Sequence, residues 1–463
     1  MSSQAVVYST FYFDDSSKIV DAFAVKEWTV FLDSGRSSSQ QGRYDIISGN
    51  PICTLETRGK STTITTKNDV VVSNENPFEL LKIEVNRYAK MFESSNITHL
   101  NLPFVGGAIG YFSYDLVRRL ENLPILAQNL ETIPEMQIGI YDWAIIVDHE
   151  IKQSFLICYD ESDTKLDEIC EYLIGMQTPE NDIDFAVTSE IQANYSQETY
   201  AQAFQKIKSY LKEGDCYQVN LTQQFSANCE GNTWQAYKML REINPAPFSA
   251  YLNFPNVKIL SSSPERFLKL QNGHVETKPI KGTRPRKSDE IENAEQLHDL
   301  ISNPKDRAEN VMIVDLLRND ISKVCKNVRV PKLFDIESYT TVHHLVSTIT
   351  GELKTGQHAL DLLQNCFPGG SITGAPKIRS MEIIEEIEPN RRGVYCGAIG
   401  YIGFDGNMDT NIIIRTLIES QGKIQFWAGG GIVNDSKMLD EYQESFDKAS
   451  AMFKVLEHFI KKG

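Results

Sequence analysis

The stretch RFLKLQNGHVETK, residues 266–278, constrains this chain more than any other. Asn272-Gly273 is the dipeptide that a two-residue hairpin loop needs, since both central residues must adopt positive φ, and alternating apolar residues flank it. An antiparallel pair is therefore expected, with Arg266–Leu270 running against His274–Lys278. With a two-residue loop the paired residue numbers sum to 545, and Glu265 faces Ile280. A three-residue loop with a bulge pairs Glu265 with Lys281 instead. Either register makes Glu265 and Lys281 near neighbours, and only the second places both on one face.

Lys281 also belongs to KPIKGTRPRK (278–287), five cations in ten residues inside a 463-residue chain of net charge −16. A solvated basic turn is the plain reading of such a run. A carboxyl group and an amine at a hairpin mouth make either an ordinary surface ion pair or an acid and a nucleophile. On the second reading the neighbouring Lys278, Arg284 and Arg286 disfavour a further positive charge and keep part of Lys281 neutral, as a nucleophilic amine requires. The overall acid excess repels polyanions, which excludes nucleic acid as a partner while leaving room for a small anion. No apolar run approaches the roughly 20 residues of a membrane helix, and the first residues lack a signal peptide's basic start and apolar core. The expected location is the cytoplasm. Eight cysteines without a CxxC pair read as free, packing thiols.

The sequence divides into an amino-terminal subregion, 1–175, and a second unit over 190–460, separated by the polar, aperiodic stretch 176–195. In the first, Asn76-Pro77 announces a helix with Leu81, Val85, Tyr88 and Phe92 on its inner stripe. In the second, Ser196 caps a helix that Gly214 ends. The following YQVNLTQQF alternates Tyr217, Val219 and Leu221 with Gln218, Asn220 and Thr222, so one strand face is apolar and the other either lines a site or meets water. GAIGY occurs at 107–111 and again at 397–401, two similar glycine-led strands without a repeat architecture.

Two helices carry acids where core-facing helices carry aliphatics. Glu309 shares a stripe with Ile313 and Leu316, and Glu441, Glu444 and Lys448 share one with Met452, Val455 and Phe459. The ordinary alternative for the latter is an i,i+4 pair between Glu444 and Lys448. Carboxylates from separate helices without a histidine or cysteine cluster suit magnesium and not zinc. WAGGGIVND (427–435) offers backbone amides for an anion, or a tight turn. FPGGSITGAPK (367–377) lacks the GKS/GKT ending of a phosphate loop, so nucleotide binding is rejected. Arg415 is a lone cation in the apolar NIIIRTLI, a strand-edge charge or an anion clamp.

SPERF, PIKGTRPR, AENVMIVDLLRND, HHLVSTITGEL, GSITGAPK, RRGVYCGAIGY and GGGIV, in that order, resemble the chorismate-utilising enzymes; FLDSGR (31–36) and GGAIGYFSYD (106–115) extend the resemblance to the amino-terminal part. The resemblance implies an α+β fold of two antiparallel sheets packed as a sandwich with helices outside. It implies that the residue after PI separates activities: PIAGT is typical of anthranilate formation, and PIKGT of amination at carbon 4 of chorismate. Here it is Lys281. Water-activating relatives place a lysine at the position of Gln218, so water activation is disfavoured. By the same resemblance Lys281 is the nucleophile, Glu265 the acid, and Glu309 and Glu444 with Glu441 the magnesium ligands. Arg415, Tyr395, Gly430 and Gly431 hold a second carboxylate. Lys448 assists at the metal side, and Gln218, Thr283, His344 and Thr373 line the ring. The length leaves no room for a glutaminase, so a separate glutamine amidotransferase subunit delivering ammonia is implied, and Ser34 marks a tryptophan pocket. The alternatives are anthranilate formation, which Lys281 disfavours, and a non-catalytic anion-binding regulatory subunit, which would not need Glu265 and Lys281 together.

Overall fold

The central strands Gly107–Phe112, Met136–Tyr141 and Trp143–Asp148 are buried along their whole length, because the chain lays two sheets against each other with helices outside. The computed structural model describes residues 3–35, 42–93, 97, 100–130, 132–159, 164–174, 183–339 and 342–461. Among these, one sheet runs in the order Gln218–Glu230, Lys423–Ile432, Thr416–Ser420, Val257–Ser263, Phe248–Phe254, Thr29–Asp33, Tyr44–Ser48, Trp143–Asp148, Gln153–Tyr159 and Ser3–Thr10. The other begins with Ile280–Pro285, Val342–Leu353, His274–Thr277 and Arg266–Gln271, then continues through Met408–Asn411, Ala398–Gly403, Gly107–Phe112, Met136–Tyr141 and Cys53–Arg58. These neighbours are antiparallel, as expected for the α+β sandwich.

The strand Trp143–Asp148 illustrates the layering. Ala144 and Ile146 enter the core between the sheets, while Trp143, Ile145 and Val147 enter the core under the outer helices Thr233–Ile243 and Met438–His458. The period of two in side-chain direction thus serves two apolar layers from one continuously hydrophobic strand. Residues from 1–175 and from 190–460 interleave in both sheets: Thr29–Asp33 pairs with Phe248–Phe254, and Gly107–Phe112 with Ala398–Gly403. The echoed GAIGY segments are those last two strands, with Gly110 opposite Gly400.

The hairpin takes the two-residue loop. Gln271 pairs with His274, Leu270 with Val275 and Lys269 with Glu276, and Asn272 and Gly273 have φ of 51° and 80°. The pairing stops short of Glu265, because the outgoing strand carries on past Pro279 against Val342–Leu353, with Ile280 opposite Val346 and a bulge before Thr283 opposite His344. Lys281 sits in that bulge, which re-aims its side chain. The helix after Asn76 spans Pro77–Met91, its cap accepting from the Phe78 N–H, and the helix after Ser196 spans Gln197–Glu213 and ends on Gly214 at φ 85°. The alternation from Tyr217 holds only from Gln218 onward: Tyr217 precedes the strand and is exposed, whereas Gln218, Asn220 and Thr222 are buried and do not meet water. All eight cysteines are free. Among the described residues no helix is long and apolar enough to cross a membrane.

Candidate active site

Glu265 lies between the strands Val257–Ser263 and Arg266–Gln271, and only 7 % of it is exposed. Its Oε1 accepts a hydrogen bond from Ser371 Oγ at 2.8 Å. Burial pushes the carboxyl up to about 7, with Ser371, Lys281, Lys448 and Arg415 restraining the rise. A carboxyl poised there is part protonated at neutral pH and can act as a general acid. Lys281 Nζ stands 3.3 Å from Glu309 Oε2, both side chains largely buried.

The other cations of the basic stretch behave differently from the sequence expectation. Lys278 pairs with Glu337 at 3.3 Å, Arg284 with Asp299 and Asp306 at 2.5 and 2.9 Å, and Arg286 donates to the Tyr339 carbonyl at 3.2 Å. Each is matched by a partner of its own. Their role is to fasten the hairpin arm to the helices Glu290–Ser302 and Pro304–Ser322 and to the strand Cys325–Ser338, and their charge does not bear on Lys281 unopposed.

The three expected metal ligands come from the helix Pro304–Ser322 and the last helix, Met438–His458. Lys305 Nζ lies 3.3 Å from Glu441 Oε1 and 3.9 Å from Glu309 Oε1, and Lys448 Nζ lies 2.7 Å from Glu444 Oε1. The i,i+4 pair of the ordinary reading is therefore present, yet Lys448 also donates to the Gly429 carbonyl at 3.0 Å. Burial and then the neighbouring Glu444 push the Glu441 carboxyl up, against Ser436 and Lys305. Burial pushes Glu444 up too, but Lys448, Lys281 and Lys305 outweigh it and hold that carboxyl below its usual value. Among the described residues no three His, Cys, Asp or Glu side chains enclose an ion as they stand. The donor chemistry still suits a hard cation: oxygen ligands only, with ammonium groups resting on each carboxylate. Gly430 opens the space between them, since a Cβ there would lie 3.0 Å from Glu441 Oε2 and 3.4 Å from Glu444 Oε1.

Of the residues expected to meet a carboxylate, Arg415 and Lys448 both act on the Glu265 carboxyl. Arg415 has a left-handed backbone, φ 51°, and burial lowers its guanidinium, offset by Glu265. His344 Nδ1 is 2.8 Å from Thr283 Oγ1, and burial, then Arg415 and His343, push His344 down to about 3, so its ring is neutral. Tyr395 is buried against Trp427, the rings parallel at 5.9 Å. Thr373 Oγ1 donates to the Gly369 carbonyl at 3.0 Å, so that hydroxyl closes the local turn.

The glycine strand supplies one amide of the expected two. Asn220 N–H donates to Thr373 O at 2.8 Å and Thr222 N–H to Glu388 Oε1 at 2.9 Å, both away from the glycines. Their partners Gly431 and Gly429 therefore turn their own polar groups to the opposite edge, where Lys448 meets the Gly429 carbonyl, while Gly430 N–H stays in the ladder. A Cβ on Gly431 would lie 2.8 Å from Gln218 Nε2. Gln218 is fully buried, and neither end of its amide has a hydrogen-bond partner among the described residues. Both ends of that amide are thus free to hydrogen-bond another polar group.

Two residues of this site escaped sequence reasoning. Lys305 stands one helical turn before Glu309, a spacing that could have flagged it. Ser371 had no signal, because its contact spans 106 positions. Ser34 lies elsewhere, directly after the strand Thr29–Asp33: it is 2 % exposed, its N–H donates to Asp45 Oδ1 at 2.8 Å, and its Oγ has no partner among the described residues. Its neighbours Leu32 and Asp33, with Tyr44, Phe248 and Arg266, line a cavity of about 360 Å³. Arg36 of the same motif lies outside the described residues.

Known proteins resemble this chain over most of its length. Aminodeoxychorismate synthase component 1 of Klebsiella aerogenes is 47 % identical over 432 residues, covering 93 % of this chain and 94 % of that protein. Anthranilate synthase component 1 of Acetivibrio thermocellus is 37 % identical over 453 residues, covering 92 % and 89 %. Among solved structures, anthranilate synthase component I from Streptococcus pneumoniae TIGR4 superposes with a TM-score of 0.78 at 31 % identity, covering 90 % of this chain and 93 % of that one. A model of the chorismate binding enzymes matches residues 35–454, which takes in Glu265, Lys281, all three candidate metal ligands and the glycine strand, and the chain belongs to that family.

Proposed function

We propose that this protein is the chorismate-aminating subunit of an aminodeoxychorismate synthase, replacing the 4-hydroxyl of chorismate by an amine to give 4-amino-4-deoxychorismate for 4-aminobenzoate and folate synthesis. The observation that carries this reading is a buried carboxyl, Glu265, held near neutrality beside a buried lysine, Lys281. An anion-binding subunit without catalysis has no use for that pair, and anthranilate formation has no use for the lysine.

Lys281 attacks carbon 2 of the ring diene while the double bonds shift and the hydroxyl leaves carbon 4; Glu265 protonates that hydroxyl, which departs as water. Ammonia then adds at carbon 4, the double bonds shift back, and the lysine amine leaves carbon 2. Two displacements give net retention. His344, neutral, and the Gln218 amide face the ring as hydrogen-bonding groups, and Arg415 with the Gly431 N–H receives a carboxylate. Glu309, Glu441 and Glu444 would hold magnesium, which when bound neutralises the ring carboxylate within an acidic protein. The ammonia source is a separate glutaminase subunit, and the cytoplasm is the proposed location. The apolar and charged lining of the cavity beside Leu32 and Asp33, near Ser34, suits tryptophan.

The test is product identification. Purified protein with chorismate, magnesium and an ammonium salt should yield 4-amino-4-deoxychorismate by chromatography and mass spectrometry. Anthranilate, or unchanged chorismate under conditions that keep the protein folded, would overturn the assignment.

A further inference from the structure

The short Gly370–Ile372 turn is pinned between two surfaces. A Cβ on Gly369 would stand 2.6 Å from Ile412 Cδ1, and one on Gly370 2.6 Å from Leu316 Cδ2 on the helix that carries Glu309. Thr373 closes the turn, and Lys377 Nζ donates to the carbonyls of Cys366 and Pro368 at 2.9 Å each. The same Ile412 that meets Gly369 also donates its N–H to the Glu265 carbonyl at 3.0 Å. Turn and carboxyl are thus located by one shared residue, and close packing fixes the distance between them. In that frame Ser371 Oγ reaches Glu265 Oε1 at 2.8 Å, and among the described residues it is the one hydrogen-bond donor to that carboxyl. Lys281, Lys448 and Arg415 face Glu265 from the bulged strand, the last helix and the segment after Met408–Asn411, and the Cys396 thiol faces it too.

A carboxyl group can carry its proton on either oxygen. A hydroxyl that donates to Oε1 keeps that oxygen as the acceptor, so the proton resides on Oε2. Building on the general-acid role given above to Glu265, we propose that Ser371 is a positioning residue for the amination: its hydroxyl holds Oε1 and so presents Oε2, with its proton, to the hydroxyl leaving carbon 4. The step balances. The C4–O bond breaks with its electron pair on oxygen, that oxygen takes the Oε2 proton and departs as water, and Glu265 remains as a carboxylate. The Ser371 bond is then charge-assisted and stronger than before, so it favours the transition state over the bound substrate.

Ser371→Ala and Ser371→Thr test this. At constant free ammonia, Ser371→Ala should lower kcat roughly tenfold and leave the KM for chorismate unchanged, because Ser371 does not touch substrate. Its alkaline limb, where Glu265 loses its proton, should move up by about one pH unit, and the threonine variant should return it to the wild-type position. A second readout does not depend on turnover: the Glu265 carboxyl is followed by carbon-13 NMR in protein labelled at glutamate and assigned with Glu265→Gln. An upward shift of about one unit in Ser371→Ala that Ser371→Thr reverses is expected. A midpoint unmoved in Ser371→Ala, or moved equally by both variants, overturns the proposal. That titration decides whichever product the wild type makes, so failure of the amination assignment and failure of the Ser371 assignment are read separately.

Discussion

Replacing Glu265 by glutamine should make the protein more stable and inactive, and the gain should depend on pH. In the folded chain this carboxyl titrates at about 7 against an ordinary 4.5, because burial penalises its charge. A raised carboxyl adds stability that is fully present below the unfolded value and is lost as pH rises through the folded value. The loss therefore falls between about 4.5 and 7. Two and a half units at 1.36 kcal/mol each amount to about 3.4 kcal/mol at pH 8. Glutamine carries no charge at any of these pH values and can still accept from Ser371. Unfolding entropy of about 2.1 cal/mol/K per residue over 463 residues is about 1 kcal/mol/K, so the midpoint should rise by about 3 °C at pH 8. Near pH 4.5 to 5 the two proteins should melt together. Differential scanning calorimetry at pH 5, 6, 7 and 8 measures the gap. A gap that stays constant with pH, or a variant less stable throughout, would refute the argument that Glu265 is held partly protonated by burial.

Lys281→Ala should slow amination by at least about 10³-fold, and the wild-type protein incubated with chorismate in the absence of ammonia should yield a peptide carrying the adduct at Lys281; full activity in Lys281→Ala would rule out the covalent route. Glu309→Gln and Glu444→Gln should each raise the magnesium concentration for half activity by roughly tenfold, since each removes an anionic ligand, and unchanged titrations in both would return these acids to lysine pairing alone. The isolated chain should use ammonium and not glutamine, with activity rising with pH as free ammonia increases until Glu265 loses its proton; glutamine-dependent turnover by the single purified chain would mean that it holds a glutaminase site. Gly430→Ala should likewise raise the magnesium concentration for half activity, because its Cβ would press on Glu441 and Glu444, and magnesium titration of activity measures it.

Local rules carried the sequence reading far where contacts are local. Asn272-Gly273 marked a hairpin while leaving two loop lengths open, and Asn76, Ser196 and Gly214 marked helix ends, because a turn or cap needs only a few neighbours. The acids on apolar stripes were legible for a related reason: a carboxylate at Glu441 needs a partner wherever the fold supplies it. The identity of that partner was not legible. Lys305 is 136 positions away from Glu441, and Ser371 is 106 from Glu265. The tuning expected of Lys278, Arg284 and Arg286 failed likewise, since Glu337, Asp299 and Asp306 answer them from other elements. The left-handed backbone at Arg415 had no sign in NIIIRTLI, where an apolar run predicts a plain strand.

The weaving of both chain segments through both sheets bears on how the protein comes off the ribosome. Thr29–Asp33 is made early, but its partner Phe248–Phe254 is translated about 200 residues later, and Gly107–Phe112 waits about 290 residues for Ala398–Gly403. At roughly 5–20 residues per second these strands keep an open edge for tens of seconds. Their pairings are among the most distant in the chain, so loop-closure entropy delays them further. The nascent amino-terminal segment must therefore be shielded from other chains until synthesis is nearly complete. A stalled ribosome or a premature stop in the last quarter leaves strand edges exposed and not a smaller folded protein, and such fragments should aggregate unless a chaperone or the missing piece, supplied in trans, covers them.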